Sequence, residues 1–361
     1  MSGRQWGPTV PPSRPPPRIL TGDDFVASFV PPDWLVDGVI QKGRLYACTS
    51  PTAHGKTAVW LYIGCMVHAG RMVGSLDVFK GNVLILAGEN PEDLKARMLA
   101  MCRHYKIPSM QLPYVLPRAF PLNEQECAAL KQEILSLGVE FNLILGDTAA
   151  AFFPGDDEND NVVARRYAST LRSLTELPGN PAVVALCHPI KNATRDNLLP
   201  RGGGAFLNEL DGNTTLWSPT IGEVTILHWQ GKIRGPDFPP LSFRLVSIVT
   251  GYQDTRGRDV ITVVAEPMDE ASAANNARQA MANEDVVLKA LHDEPGVSIT
   301  QICANAGWMD AAGNPERWRA NRAIQSLAKD NLVHQERARG PWIVTKKGER
   351  MLNGSGASNR P

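Results

Sequence analysis

Between residues 20 and 250, short uninterrupted apolar runs alternate with longer amphipathic stretches: GRLYACTS, KTAVWLYIGCMVHAG, VLILAGE, NPEDLKARMLAMCRHY, FNLILGDT, ARRYASTLRSLTEL and AVVALCHP. Strands that are apolar on both faces need cover on both faces, so the alternation predicts an α/β fold with a mainly parallel sheet between helices. VTILHWQGKIRG and PLSFRLVSIV read as later strands with antiparallel neighbours. Residues 266–282 are polar and Ala-rich without a clear apolar stripe, which suits a linker or a solvated helix. Three helical stretches follow: EDVVLKALHDE, SITQICANAG with Ser298 as N-cap, and PERWRANRAIQSLAKDNL with Pro315 near its start. LVHQERARGPWIVTKKGERML then reads as two short strands around Arg339, Gly340 and Pro341. Three helices and a hairpin is the layout of a winged helix. The expected organisation is a disordered Pro-rich arm (1–18, six prolines), an α/β domain (19–265), a linker (266–282), a winged-helix-like domain (283–352) and a disordered tail (353–361).

Composition narrows this picture only at some points. Among 361 residues, 37 Lys and Arg balance 37 Asp and Glu, which argues against a uniformly basic nucleic-acid coat. The balance hides a local asymmetry, because residues 315–352 carry nine basic residues against four acidic ones. Hydrophobic residues at 43% exclude a wholly disordered or collagen-like chain. Six scattered cysteines show no C-x-x-C and no histidine at zinc spacing, so unpaired thiols are expected. No apolar run approaches the roughly 20 residues of a membrane span, and the start lacks a signal-peptide layout. The expectation is a soluble, cytoplasmic protein without a membrane partner.

The strongest chemical signal follows the first apolar strand. Ser50, Pro51, Thr52, Ala53, His54, Gly55, Lys56 and Thr57 match G-x-x-x-x-G-K-[ST] except that Ser50 holds the first glycine position, and Ala58 opens the helix behind. Such a loop turns backbone N–H groups toward phosphate at a helix N-terminus, with Gly55 allowing close approach. Lys56 would reach the β- and γ-phosphates of ATP, and the Thr57 hydroxyl would ligate Mg²⁺. An ordinary strand-to-helix turn is the alternative. Asp147 ends the run FNLILGD, where a second Mg²⁺-orienting carboxylate belongs, and Glu89 ends VLILAGE on another strand. Glu89 can orient water or cap the following helix. His188 ends AVVALC and reads as a γ-phosphate sensor rather than a base.

In this order these residues resemble the RecA-like hexameric ATPases, most closely the RepA-type replicative helicase family of plasmids and phages, an AAA-type branch. The resemblance runs from about Pro32 to Val249 and rests on GENPEDLKARM, GDTAAAFFPGDDENDN, HPIKN, RGGGAFLNELDGNTTLW and KIRGPDFPPLSFRL. It implies a RecA-like P-loop core in which Glu89 orients the attacking water, Asp147 is the Walker B acid, and His188 couples the γ-phosphate to a pore loop. It further implies that residues 191–204 face single-stranded DNA in a central channel through Lys191, Arg195 and Arg201. Lys232 and Arg234 would act on a neighbour's ATP within a homo-hexamer.

In the terminal module, Arg319 and Arg322 at i,i+3 on a helix, with Arg339 and Lys346 beyond it, suit contacts to duplex DNA. A winged helix can also bind protein. Trp308, Trp318 and Trp342 read as core or wing packing. The expected function is an ATP-hydrolysing, DNA-dependent oligomeric motor, a replicative helicase of a mobile element. The alternative is an ATP-switched DNA-binding regulator or helicase loader that does not unwind DNA.

Overall fold

The computed structural model describes residues 19–218, 224–310, 312–337 and 340–354. The Pro-rich arm (1–18) and the end of the expected tail (355–361) therefore lie outside the described residues. The chain divides into two units, residues 1–33 and 34–361. In the first, α1 (Gly22–Ala27) is capped by Thr21, whose hydroxyl oxygen accepts the Asp24 N–H.

The second unit is built on a nine-stranded sheet. In chain order its elements, with a short antiparallel pair ahead of them, are β1 (Trp34–Val36), β2 (Ile40–Gln41), β3 (Leu45–Thr49), α2 (Lys56–Ala69), β4 (Asn82–Ala87), α3 (Pro91–Tyr105), β5 (Tyr114–Leu116), α4 (Glu124–Ser136), β6 (Phe141–Asp147), α5 (Asn161–Leu174), β7 (Ala182–Cys187), α6 (Gly203–Glu209), β8 (Gly212–Trp217), β9 (Val224–Ile233), β10 (Leu241–Gln253) and β11 (Asp259–Met268). The large sheet runs β11-β10-β9-β8-β3-β7-β6-β4-β5. Strands β8 through β5 in that order are parallel, and β9, β10 and β11 continue the sheet antiparallel.

Alternation along each parallel strand divides two cores. Tyr46 and Cys48 of β3, Ile85 of β4 and Leu145 of β6 point to the face covered by α2 and α3. Leu45 and Ala47, Leu84 and Leu86, and Ile144 point to the face covered by α4, α5 and α6. The expected parallel sheet covered on both faces is present. Helix α2 is apolar almost all round, with eleven of its residues buried, because it packs against β4, β6 and β11 of the sheet and also against α3.

The stretch 266–282, expected as a linker or a solvated helix, is the end of β11 and the first half of α7 (Glu270–Asp293), capped by Asp269. Next come α8 (Ile299–Asn305), α9 (Arg317–Lys329), β12 (Val333–Gln335), β13 (Trp342–Val344) and α10 (Lys346–Gly354). They enclose a separate core of Val287, Leu288, Leu291, Ile302, Ile324 and Leu327. Ser298 caps α8 as expected. Lys346, expected beside the hairpin, opens α10. Among the described residues no helix is long and apolar enough to cross a membrane. All six cysteines are free, and five of them are buried.

Candidate functional site

Pairing in register brings four strand ends to one level: Ala87 lies opposite Asp147, Asp147 opposite Leu186, and Thr49 opposite Cys187. Beyond these ends follow the P-loop, Gly88 with Glu89, Thr148, and His188, so the phosphate loop, both carboxylates and the histidine share the carboxyl edge of the sheet. Parallel strands present their ligands at that edge.

The loop itself follows from its residues. Gly55 adopts φ +88°, so the conformation asks for glycine, and a Cβ there would press on Leu245 Cδ1 at 2.9 Å. Ala53 takes the other left-handed position, at φ 68°. Ser50 stands outside the left-handed region, so a side chain is tolerated where the usual pattern has glycine, and its hydroxyl bonds the Pro51 carbonyl at 3.1 Å. His54 ties the loop to the neighbouring strands. Its Nδ1 accepts the Ser218 N–H at 2.8 Å, its carbonyl accepts the Thr225 hydroxyl at 2.7 Å, and its ring lies 4.8 Å from that of Trp217. Burial, aided by the nearby Lys329 charge, lowers the His54 pKa to about 4, so the ring is neutral near pH 7. Lys329 Nζ itself stands 3.9 Å over Trp217.

Helix α2 begins at Gly55 with no side chain capping its first N–H groups and no acid in its first turn. Those donors and the helix dipole favour an anion. Lys56, 7% exposed, donates to the carbonyls of Ser50 (3.4 Å) and Cys187 (3.1 Å). These are neutral acceptors that a phosphate can replace.

Asp147 provides the test for Mg²⁺. Its Oδ1 is buried without a hydrogen-bond partner, while the Thr57 hydroxyl bonds the carboxylate. Burial holds the carboxyl above the usual range, opposed by Thr57 and Lys56 and reinforced by Glu89. An orphaned, desolvated carboxylate oxygen beside a threonine hydroxyl fits a divalent cation, which would supply the charge that the site lacks. Among the described residues no three His, Cys, Asp or Glu side chains converge on a metal by themselves, so Mg²⁺ here would take further ligands from phosphate.

Glu89 is exposed at the mouth. Gly88 before it admits no side chain, since a Cβ would meet Ala151 Cβ at 2.6 Å and the Phe152 ring at 2.8 Å. The cap of α3 is Asn90, which accepts the Asp93 N–H, so Glu89 is not spent on capping. His188 is half-buried, and burial together with Lys56 lowers its pKa. It lines a small cavity with Glu158, Tyr167 and Arg201.

The other expected residues separate into groups. Lys191 and Arg195 are exposed on the loop after His188. Arg201 closes that loop instead of extending from it: its Nη1 bonds Glu158 at 3.0 Å, its Nε bonds the Pro189 carbonyl, and its N–H bonds the His188 carbonyl. Lys232 and Arg234 lie at the opposite edge of the sheet from the P-loop, because β9 runs antiparallel to β8 and Ile233 pairs with Gly212. They cannot reach the site of their own chain. Lys232 donates to the Leu207 and Asn208 carbonyls, and Arg234 pairs with Asp211 at 2.9 Å. Arg172 pairs with the other oxygen of Asp211, which is fully buried. Burial pushes the Asp211 carboxyl up, but the Leu45 N–H and Arg172 outweigh it and hold it low.

In the terminal module Arg319 is packed inward. Its guanidinium bonds Asn283 Oδ1 at 2.8 and 3.0 Å and lies 4.6 Å from the Trp308 ring. Arg322 stacks on Trp318, which is 58% exposed and so is not core, while Trp308 is buried as expected. Arg339 lies outside the described residues; Lys346 is exposed.

Sequence reasoning missed Glu158, within GDTAAAFFPGDDENDN, as the partner of Arg201. It also missed Asn213, which accepts the Thr49 hydroxyl at 2.6 Å inside the sheet. No local signal marks that pairing, which spans 164 residues.

No curated protein matches the chain. Among solved structures, that of the RadB recombinase is similar with a TM-score of 0.41 and 17% identity, over 56% of this chain and 87% of that one. A model of the AAA domain matches residues 9–194, just over half of the chain, and spans the P-loop, Glu89, Asp147 and His188. With the phosphate loop and both strand-end carboxylates on one sheet edge inside that match, the chain belongs to the AAA domain family of P-loop ATPases.

Proposed function

We propose that the chain is an ATP-hydrolysing motor with a RecA-like core that acts as a homo-hexamer on single-stranded DNA, in the manner of a replicative helicase of a mobile element. The observation that carries the ATPase chemistry is the buried, unpartnered Oδ1 of Asp147 beside Thr57 and Lys56. Lys56 leaves its two carbonyls for the β- and γ-phosphates, and the α2 N–H groups hold the phosphate chain. Thr57 and Asp147 would hold Mg²⁺, which neutralises charge on the transferring phosphoryl group when bound. Glu89, exposed and uncommitted to capping, orients water in line with the γ-phosphate and takes its proton. His188, kept neutral, offers a hydrogen bond to the γ-phosphate at the root of the loop that carries Lys191 and Arg195.

Lys232 and Arg234 lie at the far sheet edge and are held by the Leu207 and Asn208 carbonyls and by Asp211, so the oligomer rests on the resemblance, and any nucleotide they met would be a neighbouring subunit's. A winged-helix terminal module with exposed Lys346, Lys347 and Arg350 on α10 supports a second reading, an ATP-switched regulator or helicase loader that holds duplex DNA or protein. The two are separated by measuring ATP turnover with single-stranded and duplex DNA and by imaging particles with nucleotide. Rings and stimulation by single strands are expected; monomers with duplex-selective binding would favour the regulator.

A further inference from the structure

A buried amide relay joins the strand that carries the P-loop to the loop after His188. The Thr49 hydroxyl donates to Asn213 Oδ1 at 2.6 Å; Asn213 Nδ2 donates to the carbonyls of Leu198 (2.9 Å) and Gln230 (3.2 Å). Gln230 completes the relay, its Oε1 accepting the Leu198 N–H at 2.8 Å and its Nε2 donating to the Arg195 carbonyl at 2.5 Å. Thr49, Asn213 and Leu198 are fully buried. Asn213 is buried, so breaking its rungs leaves polar groups dry, whereas Gln230 is half-buried and ties the relay to the exposed loop.

At its other end the relay meets the nucleotide site directly. Thr49 precedes Ser50, whose N–H donates to the Cys187 carbonyl and whose carbonyl, like that of Cys187, accepts from Lys56. A bound phosphate would take Lys56 from both carbonyls, so the ends of β3 and β7 are coupled to nucleotide occupancy. The near leg of the loop is anchored by His188 and by the Ile190 N–H to Leu199 carbonyl bond, and the far leg by Asn213 and Gln230. We infer that Asn213 and Gln230 are positioning residues that transmit nucleotide occupancy at the P-loop to residues 190–198. This inference rests on the ATPase reading above.

The loop carries its own reporters, because trypsin cleaves after Lys191 and Arg195, both exposed. The full-length chain is digested briefly with and without Mg²⁺ and a non-hydrolysable ATP analogue, and cleavage after those two residues is followed by mass spectrometry. Affinity for a fluorescent nucleotide is measured in parallel. In the wild type, nucleotide is expected to slow cleavage at least threefold. Gln230→Ala is expected to bind nucleotide within twofold of wild type and to be cut rapidly with or without it. Gln230→Glu, which keeps the acceptor for Leu198, is expected to retain part of the protection. Thr49→Val, which removes only the first rung, keeps the test decisive if Gln230→Ala misfolds; it too is expected to lose the nucleotide response. A wild type that binds nucleotide without changing cleavage, or variants that bind it and keep the full response, overturns the relay while leaving the ATPase reading intact. A wild type that binds no nucleotide overturns both.

Discussion

Replacing Asp147 by asparagine should stabilise the empty protein and abolish its response to magnesium nucleotide. The carboxylate is desolvated, one of its oxygens has no partner, and its pKa is raised by burial despite Thr57 and Lys56. Leaving a buried polar group unsatisfied costs about 1–3 kcal/mol and more when it is charged, so an amide still bears the first cost but escapes the second. Asparagine keeps the shape and the acceptor for Thr57 but sheds the charge, and the lost attraction to Lys56 offsets part of the gain. A net stabilisation of about 1 kcal/mol is expected at pH 8 without ligand, or roughly 2 °C in melting temperature for a chain of this size. The sign depends on pH. A carboxyl raised in the fold contributes stability while protonated, fully present below its unfolded pKa and lost as pH rises through the folded value. The advantage of Asp147→Asn should therefore vanish as pH falls into the carboxylate range. Adding Mg²⁺ and an ATP analogue at 100 times the dissociation constant should stabilise the wild type by about 2.7 kcal/mol, and the variant far less, so that the order reverses. Thermal melts at two pH values, with and without ligand, check all three parts. A variant less stable than wild type at pH 8 without ligand would show that burial of the Asp147 charge does not destabilise the empty protein.

Further outcomes follow from other contacts. Gly88→Ala should cost about 1–3 kcal/mol in denaturant titration, because its Cβ would overlap Ala151 and Phe152, and turnover should fall with the displacement of Glu89. Arg172→Ala should cost about 3 kcal/mol near neutral pH by leaving Asp211 buried with only part of its compensation. The Asp211 carboxyl is depressed, so the stability it contributes is present above its unfolded pKa and lost as pH falls through the folded one; the penalty should shrink in acid. His54 is depressed from 6.5 to about 4, which favours its neutral form in the fold. Between those values wild type should lose up to about 3 kcal/mol that His54→Gln does not, as read from the pH dependence of chemical unfolding.

The sheet edge that holds the site was legible because buried parallel strands are written as unbroken apolar runs, each ended by a residue with chemistry: Ser50, Glu89, Asp147, His188. Strand β8 was not read as a strand, since three of its five buried positions are Asn213, Thr214 and Thr215, of which Asn213 and Thr214 bond partners far along the chain. Strand β5 and the pair β1–β2 are too short to carry a period. The 266–282 stretch lacked an apolar stripe, yet it is helical from Glu270 on, with Asp269 supplying the cap. Arg319 was read as outward-facing because a cation on a helix normally is; Asn283 and Trp308 satisfy it within the module. The pairing of Arg234 and Arg172 on Asp211 needs the fold to bring α5 and the end of β9 together, and no local pattern announces it.

The loop from Ser50 to Thr57 and Asp147 together are expected to make a magnesium-dependent ATPase. The most direct measurement is phosphate release from ATP by the full-length chain, with Mg²⁺ or with chelator, for wild type and Lys56→Ala. Turnover is expected to require Mg²⁺ and to fall roughly 100-fold or more in the variant; equal release by the two proteins, or release indifferent to chelator, would rule out ATP hydrolysis at this site.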